Sequence, residues 1–130
     1  MTPEEAYEIA RKEKPEDKLR RIVCQDPEWT YMYARHVDKG SHYITRETAC
    51  KDPMYAYYYA RNIDKGPFYN TREAACKDPE WAYYYALYVD KYPSDLTRNG
   101  ASKDPYYAYC YARDVDKRFS ENTYTYVPKI

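Results

Sequence analysis

Residues 49–65 read ACKDPMYAYYYARNIDK, and this block recurs along the chain at a constant step of 26 residues. The cysteine of the block stands at Cys24, Cys50 and Cys76, and Ser102 takes its place one step later. The aspartate of its Asp-Pro pair keeps the same step, at Asp26, Asp52, Asp78 and Asp104. A fixed period without insertions is typical of stacked repeats and not of a single core built around an active-site cleft.

Tyrosine dominates the apolar part of the composition. The chain has 130 residues, which suits one domain, and 44% of them are hydrophobic. Twenty of the residues are tyrosine, while leucine occurs only at positions 19, 87 and 96. The interior must therefore pack tyrosine rings against alanine, and the ring hydroxyls need hydrogen-bond partners.

Charge and hydropathy exclude several partner classes. Lysine plus arginine number 21, as do aspartate plus glutamate, so no net field attracts nucleic acid or an anionic membrane. No apolar run approaches the roughly 20 residues of a membrane span. The N-terminal stretch MTPEEAYEIARKEKPEDKLRR is charged throughout, unlike a signal peptide. We therefore expect a cytoplasmic protein with reduced cysteines, no membrane partner and no main role in binding nucleic acid.

The 26-residue step divides the single domain, 1–130, into a cap, four units and a tail. Residues 1–25 form a divergent N-terminal cap, in which Thr2 caps a first helix and residues 18–24 form a second. The units span 26–51, 52–77, 78–103 and 104–123, and 124–130 is the C-terminal tail. The tail is expected either to cover the last unit or to support end-to-end self-association. This organisation predicts an all-α fold, a short αα-repeat solenoid.

Each unit contains the signals of two helices. The Asp-Pro pair predicts an N-cap followed by proline in the first helical position, and the first helix runs about twelve residues to an Asp-Lys pair. Gly40 and Gly66 then predict a C-terminal residue with positive φ. Thr45, Thr71 and Thr97 predict the N-caps of a shorter second helix made of small residues. Arg46, Arg72 and Arg98 in that helix are expected to pair with the aspartates that end the first helix, Asp38, Asp64, Asp90 and Asp116, and so to hold the turn between the two helices.

The first helix has a constant side and a variable side. Counted from its proline, positions 4, 8 and 11 form a predicted buried stripe: Thr30, Ala56, Ala82 and Ala108, then Ala34, Ala60, Ala86 and Ala112, then Val37, Ile63, Val89 and Val115. Positions 3, 5 and 7 are aromatic in every unit. Stacked units must present matching surfaces, so these constant aromatic residues are interpreted as packing between units.

The variable side of the first helix is the candidate binding surface, here called the outer face. It comprises Met32, Arg35, His36, Met54, Tyr58, Arg61, Asn62, Tyr84, Leu87, Tyr88, Tyr106, Cys110 and Arg113. Tyrosine, methionine and arginine are enriched at protein interfaces. The alternative is a solvated face free to vary, but such a face usually carries lysine, glutamate and serine. The pattern favours a protein partner centred on the second and third units.

No pattern predicts a catalytic, metal or cofactor site. The cysteines stand one per unit, whereas zinc ligands come in close pairs. Stacked helices lie about 8–10 Å apart, beyond the Cα separation of about 7 Å that a disulfide tolerates. His36 and His42 lie on different elements without a neighbouring cysteine. Cys110 lies on the outer face and is expected to be an accessible thiol.

The unit resembles short tandem repeats of hypothetical bacteriophage proteins. The pattern DPxxAYxYARxVDKG followed by TREAACK carries the resemblance over residues 24–117, through Asp52-Pro53, Ala56-Tyr57, Tyr59-Ala60-Arg61, Ile63-Asp64-Lys65-Gly66 and their copies. The resemblance implies a small phage protein in the host cytoplasm that binds a host factor and blocks a defence system.

Three functions follow from these observations. The favoured one is a non-enzymatic scaffold that binds a protein partner through the outer face. An alternative is a single-stranded nucleic-acid binder, in which Tyr58, Tyr84 and Tyr88 stack on bases and arginines meet phosphates. Zero net charge argues against it, because phosphate neutralisation supplies most nonspecific affinity. The third is a self-assembling structural component.

Overall fold

The computed structural model describes residues 1–118, and these fold into helices joined by short turns, with no strand among them. Nine α-helices lie in this part of the chain: α1 (Pro3–Lys12), α2 (Asp17–Val23), α3 (Pro27–Tyr33), α4 (Tyr43–Ala49), α5 (Pro53–Tyr59), α6 (Tyr69–Ala75), α7 (Pro79–Tyr84), α8 (Asp95–Ala101) and α9 (Pro105–Asp114). A π-helical turn extends α3, α5 and α7, at Ala34–Asp38, Ala60–Asp64 and Tyr85–Asp90. The predicted all-α class is confirmed, and the predicted tail, 124–130, lies outside the described residues.

The Asp-Pro pairs start the first helix of every unit, as the sequence predicts. Asp26, Asp52, Asp78 and Asp104 each accept a hydrogen bond from the backbone N–H two residues on, at 2.8–3.0 Å. Proline in the first position loses no hydrogen bond, because the first N–H groups of a helix have no acceptor within it. In the cap, Thr2 and Glu5 form a reciprocal capping box at the start of α1.

The first helix of a unit ends on a left-handed lysine, and the prediction of a left-handed glycine is wrong. Lys39, Lys65, Lys91 and Lys117 have φ between 54° and 63°, whereas no glycine has positive φ. Before this lysine the helix widens: the Lys91 N–H bonds to the Ala86 carbonyl five residues earlier, at 2.8 Å. The left-handed conformation costs about 1–2 kcal/mol. In compensation, the lysine charge lies at a helix C-terminus, where the dipole favours a cation.

The second helix of each unit does not begin at the predicted threonine. The N-caps are His42, Phe68 and Ser94. Thr45, Thr71 and Thr97 lie inside α4, α6 and α8 and are fully buried. Each threonine hydroxyl lies 2.7 Å from the hydroxyl of a core tyrosine. These threonines are therefore core hydrogen-bonding residues rather than caps.

One tyrosine per unit forms the centre of the core. Tyr33, Tyr59, Tyr85 and Tyr111 are at most 1% exposed. The Tyr59 hydroxyl accepts from the His42 N–H at 3.0 Å and donates to the His42 carbonyl at 3.1 Å. The other three make the same pair of bonds to the backbone of Glu16, Phe68 and Ser94. The first helix of one unit is thereby bonded to the start of the second helix of the unit before it.

The predicted buried stripe is largely confirmed. Thr30, Ala56, Ala82, Ala34, Ala60, Ala86, Val37, Val89 and Val115 are buried, while Ile63, Ala108 and Ala112 are half-buried. Two of the three exceptions belong to α9, after which no further helix is described. Along the chain α1 packs on α3, α3 on α5, α5 on α7 and α7 on α9.

Four arginine–aspartate pairs join neighbouring units, and their partners differ from those predicted. Arg46 donates two hydrogen bonds to Asp64, at 2.7 and 3.1 Å, and none to Asp38. The other pairs are Arg20 with Asp38, Arg72 with Asp90 and Arg98 with Asp116. The prediction of pairs within one unit is wrong, because the guanidinium lies within hydrogen-bond distance of the aspartate that ends the next unit's first helix. Hydrogen bonding from Arg98 lowers the pKa of Asp116.

Gly100 lies where α8 packs closely on its neighbours. A Cβ at this position would meet the Cys76 carbonyl oxygen at 2.7 Å and the Ala82 Cβ at 2.8 Å. We expect Gly100→Ala to lower the free energy of unfolding by about 1–3 kcal/mol, because an overpacked core has to shift. Urea unfolding measures the change. Ala74→Gly, at the same place in the preceding unit, is the control and should cost only about 1 kcal/mol from helix propensity; a Gly100→Ala protein as stable as the wild type would contradict the contact.

Candidate functional site

The outer face is only partly open to solvent. Exposed members are Arg35, His36, Arg61, Asn62, Tyr88, Tyr106 and Arg113. Half-buried members are Met32, Met54, Tyr58, Tyr84 and Leu87. The thirteenth member, Cys110, is 3% exposed. The predicted surface thus divides into residues that reach solvent and residues that also pack between helices.

The prediction of an accessible thiol at Cys110 is wrong. Its side chain packs in a buried cluster that includes Tyr83 and Tyr111. The reason is that α9 packs on α7, so that the short Cys110 side chain lies against the neighbouring helix. All four cysteines are free, and burial raises the pKa of Cys50 to about 11 and that of Cys76 to about 12.

Position 10 of the first helix, counted from its proline, can reach back to a tyrosine of the preceding unit. The Asn62 side-chain amide donates to the Tyr31 hydroxyl at 2.9 Å. Two joints further along, between α7 and α9, the Tyr83 hydroxyl donates to the Asp114 carboxylate. In both cases a short polar side chain closes the joint between two first helices. Part of the variation along this ridge therefore serves packing between units.

The joint between α5 and α7 differs, because its equivalent residue is Tyr88. This ring is 46% exposed and makes no hydrogen bond within residues 1–118. Arg61 lies at this joint: its Nη1 donates to the Tyr57 hydroxyl at 2.8 Å, and its guanidinium lies 4.9 Å from the Tyr88 ring centre. Tyr88, which is longer than the Asn62 and Asp114 side chains at equivalent positions, does not close the joint, and the joint stays open on its outer side.

A groove of about 470 Å³ opens at this joint. It is lined by Tyr57, Tyr58, Arg61, Glu80, Trp81, Tyr84 and Tyr88. Four of these belong to the predicted outer face. The other three, Tyr57, Glu80 and Trp81, are groove residues that the sequence prediction missed, because repetition marks Tyr57 and Trp81 as packing residues.

Three aromatic rings form adjoining walls of the groove. Trp81 lies between Tyr58, at 5.6 Å and 64°, and Tyr84, at 5.5 Å and 61°. At these steep interplanar angles the rings meet edge to face instead of in a flat stack, and the three rings are here called the aromatic box. Tyr84 continues to Tyr88 at 6.1 Å and 30°, which extends the aromatic surface along the helix.

The two ends of the groove carry opposite charges. Glu80 lies at the start of α7, and its carboxylate accepts a hydrogen bond from the Tyr107 hydroxyl at 3.1 Å. Arg61 lies at the other end, against Tyr88. Among residues 1–118 neither side chain takes part in an ion pair. Both charges are thus available to a ligand.

Within the described part of the chain, the side chains offer no metal-binding cluster. No group of three or more histidine, cysteine, aspartate or glutamate residues could hold an ion in residues 1–118. Every buried side-chain nitrogen and oxygen there has a hydrogen-bond partner. No helix in the same range has the length and apolar character needed to cross a membrane.

These observations define an all-helical, tyrosine-rich protein with an aromatic groove between two of its helices. Comparisons with protein-family models, curated proteins and solved structures find no match to the chain.

Proposed function

We propose that the protein is an αα-repeat solenoid that binds a protein partner through its outer face and has no enzymatic role. The groove between α5 and α7 is the centre of the binding surface. The first 25 residues act as the N-terminal cap of the array, and the units follow the 26-residue step.

Bonds between successive units support the repeat arrangement. The arginine–aspartate pair recurs four times, from Arg20 with Asp38 to Arg98 with Asp116. The core tyrosine hydroxyl bonds to the preceding unit four times as well. Such contacts between sequence neighbours are what nearest-neighbour stacking requires.

The observation that carries the binding function is the open aromatic groove. Its volume of about 470 Å³ is of the size that ligand sites have. Tyrosine, tryptophan and arginine, the residue types enriched at binding hot spots, line it together. At other joints a polar side chain closes the contact, so packing alone does not require the groove.

The proposed setting is the cytoplasm of a bacterial host, with a host defence factor as the partner. The resemblance of the repeat to phage sequences motivates this setting. Free cysteines at Cys24, Cys50, Cys76 and Cys110 suit a reducing compartment.

Single-stranded nucleic acid remains the second candidate partner, and the lysines favour it. Three shallow pockets along the joints are each lined by two successive left-handed lysines, Lys39 with Lys65, Lys65 with Lys91, and Lys91 with Lys117. The zero net charge and the carboxylate of Glu80 inside the groove count against it. End-to-end self-association is the third candidate, and light scattering against concentration tests it.

A capture experiment from host lysate tests the protein-binding role. We expect the Tyr58→Ala/Tyr84→Ala protein to lose the partners of the wild type by at least about tenfold, as removal of hot-spot rings does. Because both rings also pack between helices, Arg61→Ala/Tyr88→Ala, which changes exposed residues, is the second variant.

The matched control removes two tyrosines away from the outer face. Tyr43 and Tyr69 are 67% and 62% exposed at the starts of α4 and α6. Tyr43→Ala/Tyr69→Ala should retain every partner. Equal capture by all variants would defeat the choice of surface, and binding of labelled single strands at low salt would favour nucleic acid instead.

A further inference from the structure

The aromatic box at the Glu80 end of the groove is suited to a cation. The faces of Tyr58, Trp81 and Tyr84 carry the negative part of the ring quadrupole, and tryptophan provides the strongest such surface. The carboxylate of Glu80 lines the same groove and has no basic partner among residues 1–118. A lysine or arginine side chain in the box would meet both.

This chain already makes the same contact with its own arginines. The guanidinium of Arg46 lies 4.1 Å from the ring centre of Phe68, and that of Arg61 lies 4.9 Å from the ring centre of Tyr88. Arginine–aromatic stacking is thus a repeated feature of the surface. The box formed by Tyr58, Trp81 and Tyr84 offers the same chemistry without a cation of its own.

The opposite end of the groove is suited to an anion. Arg61 uses Nη1 for the Tyr57 hydroxyl, and its Nε and Nη2 donate no hydrogen bond within residues 1–118. Arginine binds carboxylates through paired donors of this kind. Beyond Arg61 the adjoining pocket is lined by Lys65 and Lys91, which add positive charge at this end.

The distance between the two ends sets the length of the ligand. Glu80 and Tyr88 are eight residues apart on one helix, which is about 12 Å along the axis, and Arg61 lies against Tyr88. Three residues of extended peptide span about 10–11 Å. A single-stranded nucleic acid fits less well, because its phosphates would approach the Glu80 carboxylate.

We propose that this groove binds an extended peptide segment of the protein partner that carries a basic and an acidic side chain about three residues apart. The basic side chain enters the box at Glu80, and the acidic side chain pairs with Arg61. This inference rests on the proposed protein-binding function and specifies the chemistry of the segment that the partner presents.

The two tryptophans of the chain allow a direct test. Trp81 lines the groove, whereas Trp29 lies against Tyr7 at the other end of the described helices. Their indole N–H signals in a ¹⁵N-labelled protein are assigned with Trp29→Phe. The probes are blocked tetrapeptides of arginine, two alanines and glutamate, made in both orders, and the same peptides with glutamine in place of either charged residue.

We expect at least one order of the doubly charged peptide to shift the Trp81 signal with saturation in the millimolar range, and the Trp29 signal to stay in place. Each glutamine peptide should bind at least about threefold more weakly, since loss of one charge contact of about 0.7 kcal/mol has that effect. Glu80→Gln should weaken the preference for arginine over glutamine, and Arg61→Gln should weaken the preference for glutamate over glutamine.

Glu28→Gln is the matched control for Glu80→Gln. Glu28 accepts a hydrogen bond from the Tyr55 hydroxyl at 3.1 Å, as Glu80 does from Tyr107, but it does not line the groove. This variant should bind the peptides like the wild type.

An unmoved Trp81 signal at about 10 mM peptide, where a millimolar complex is mostly formed, overturns the inference. The inference is also overturned if the charged and the glutamine peptides bind equally well, or if the wild type and Glu80→Gln bind the peptides equally well. A Trp81 shift with oligothymidine but not with peptide would assign the groove to nucleic acid. If these tests fail while lysate capture still depends on the outer face, the protein-binding function stands and only the ligand chemistry is wrong.

Discussion

Replacing Asp90 with alanine is expected to lower the free energy of unfolding by about 3–5 kcal/mol, the usual effect of leaving one partner of a buried ion pair alone. The Asp90 side chain is 0% exposed and that of Arg72 is 19% exposed. Three hydrogen bonds of 2.6, 2.9 and 3.1 Å join them. Without the carboxylate, the Arg72 guanidinium remains between two helices with no anion to receive it. Urea unfolding followed by circular dichroism measures the loss.

Two further variants separate the effect of burying an ion pair from the effect of its charges. Asp95 is 95% exposed and also pairs with an arginine, Arg98, at 2.8 Å. Asp95→Ala should cost no more than about 1 kcal/mol, because solvent screens an exposed pair. The double variant Arg72→Met/Asp90→Leu should recover much of the stability that Asp90→Ala loses. If Asp90→Ala and Asp95→Ala were equally mild, the buried pair would not stabilise the joint between units.

The second large effect is expected at alkaline pH, where the protein should unfold cooperatively above about pH 10. Burial raises the pKa of the core tyrosines Tyr33, Tyr59, Tyr85 and Tyr111. A pKa that is higher in the folded state gives stability that is complete below the unfolded-state value, about 10, and is lost as the pH rises through the folded-state value. Deprotonation would place a phenolate inside the core, so the chain unfolds instead.

Circular dichroism and tyrosinate absorbance, recorded together during titration with base, test this expectation. The loss of helix and the ionisation of the core tyrosines should share one steep transition. Tyr43→Phe, which changes a tyrosine that is 67% exposed, should leave the midpoint unchanged. Helix that persists after all tyrosines have ionised would show that the core hydroxyls do not control the alkaline limit.

The candidate site was predictable in part. Tyr58, Arg61, Tyr84 and Tyr88 stood out because they vary between units whose other residues are constant, and all four line the groove. Trp81 was missed because aromatic residues recur at its position, so repetition gave it a packing role. Its ring packs between helices and also forms a wall of the groove, and a sequence pattern assigns only one of these roles.

Cys110 illustrates the opposite error. It belongs to the same variable ridge as Tyr58 and Tyr84, yet its side chain is buried on α7. The position of a residue in a helix determines the direction in which its side chain leaves the helix axis. Whether that direction meets solvent depends on how the neighbouring helix lies against it.

The sequence alone determined the features whose causes lie within a few residues. The Asp-Pro helix starts and the buried stripe follow from local capping and helical periodicity, and the structure agrees with them. Those signals act through backbone groups and side chains one or two turns apart.

Only the tertiary structure decided which side chains meet across units. Arg46 reaches Asp64 rather than Asp38, Thr45 bonds a core tyrosine rather than a helix start, and the joint at Tyr88 stays open. In a repeating chain every arginine has several aspartates at equivalent positions. Packing of one helix against the next selects among them, because distance and burial between helices, and not spacing along the chain, determine which pair can form.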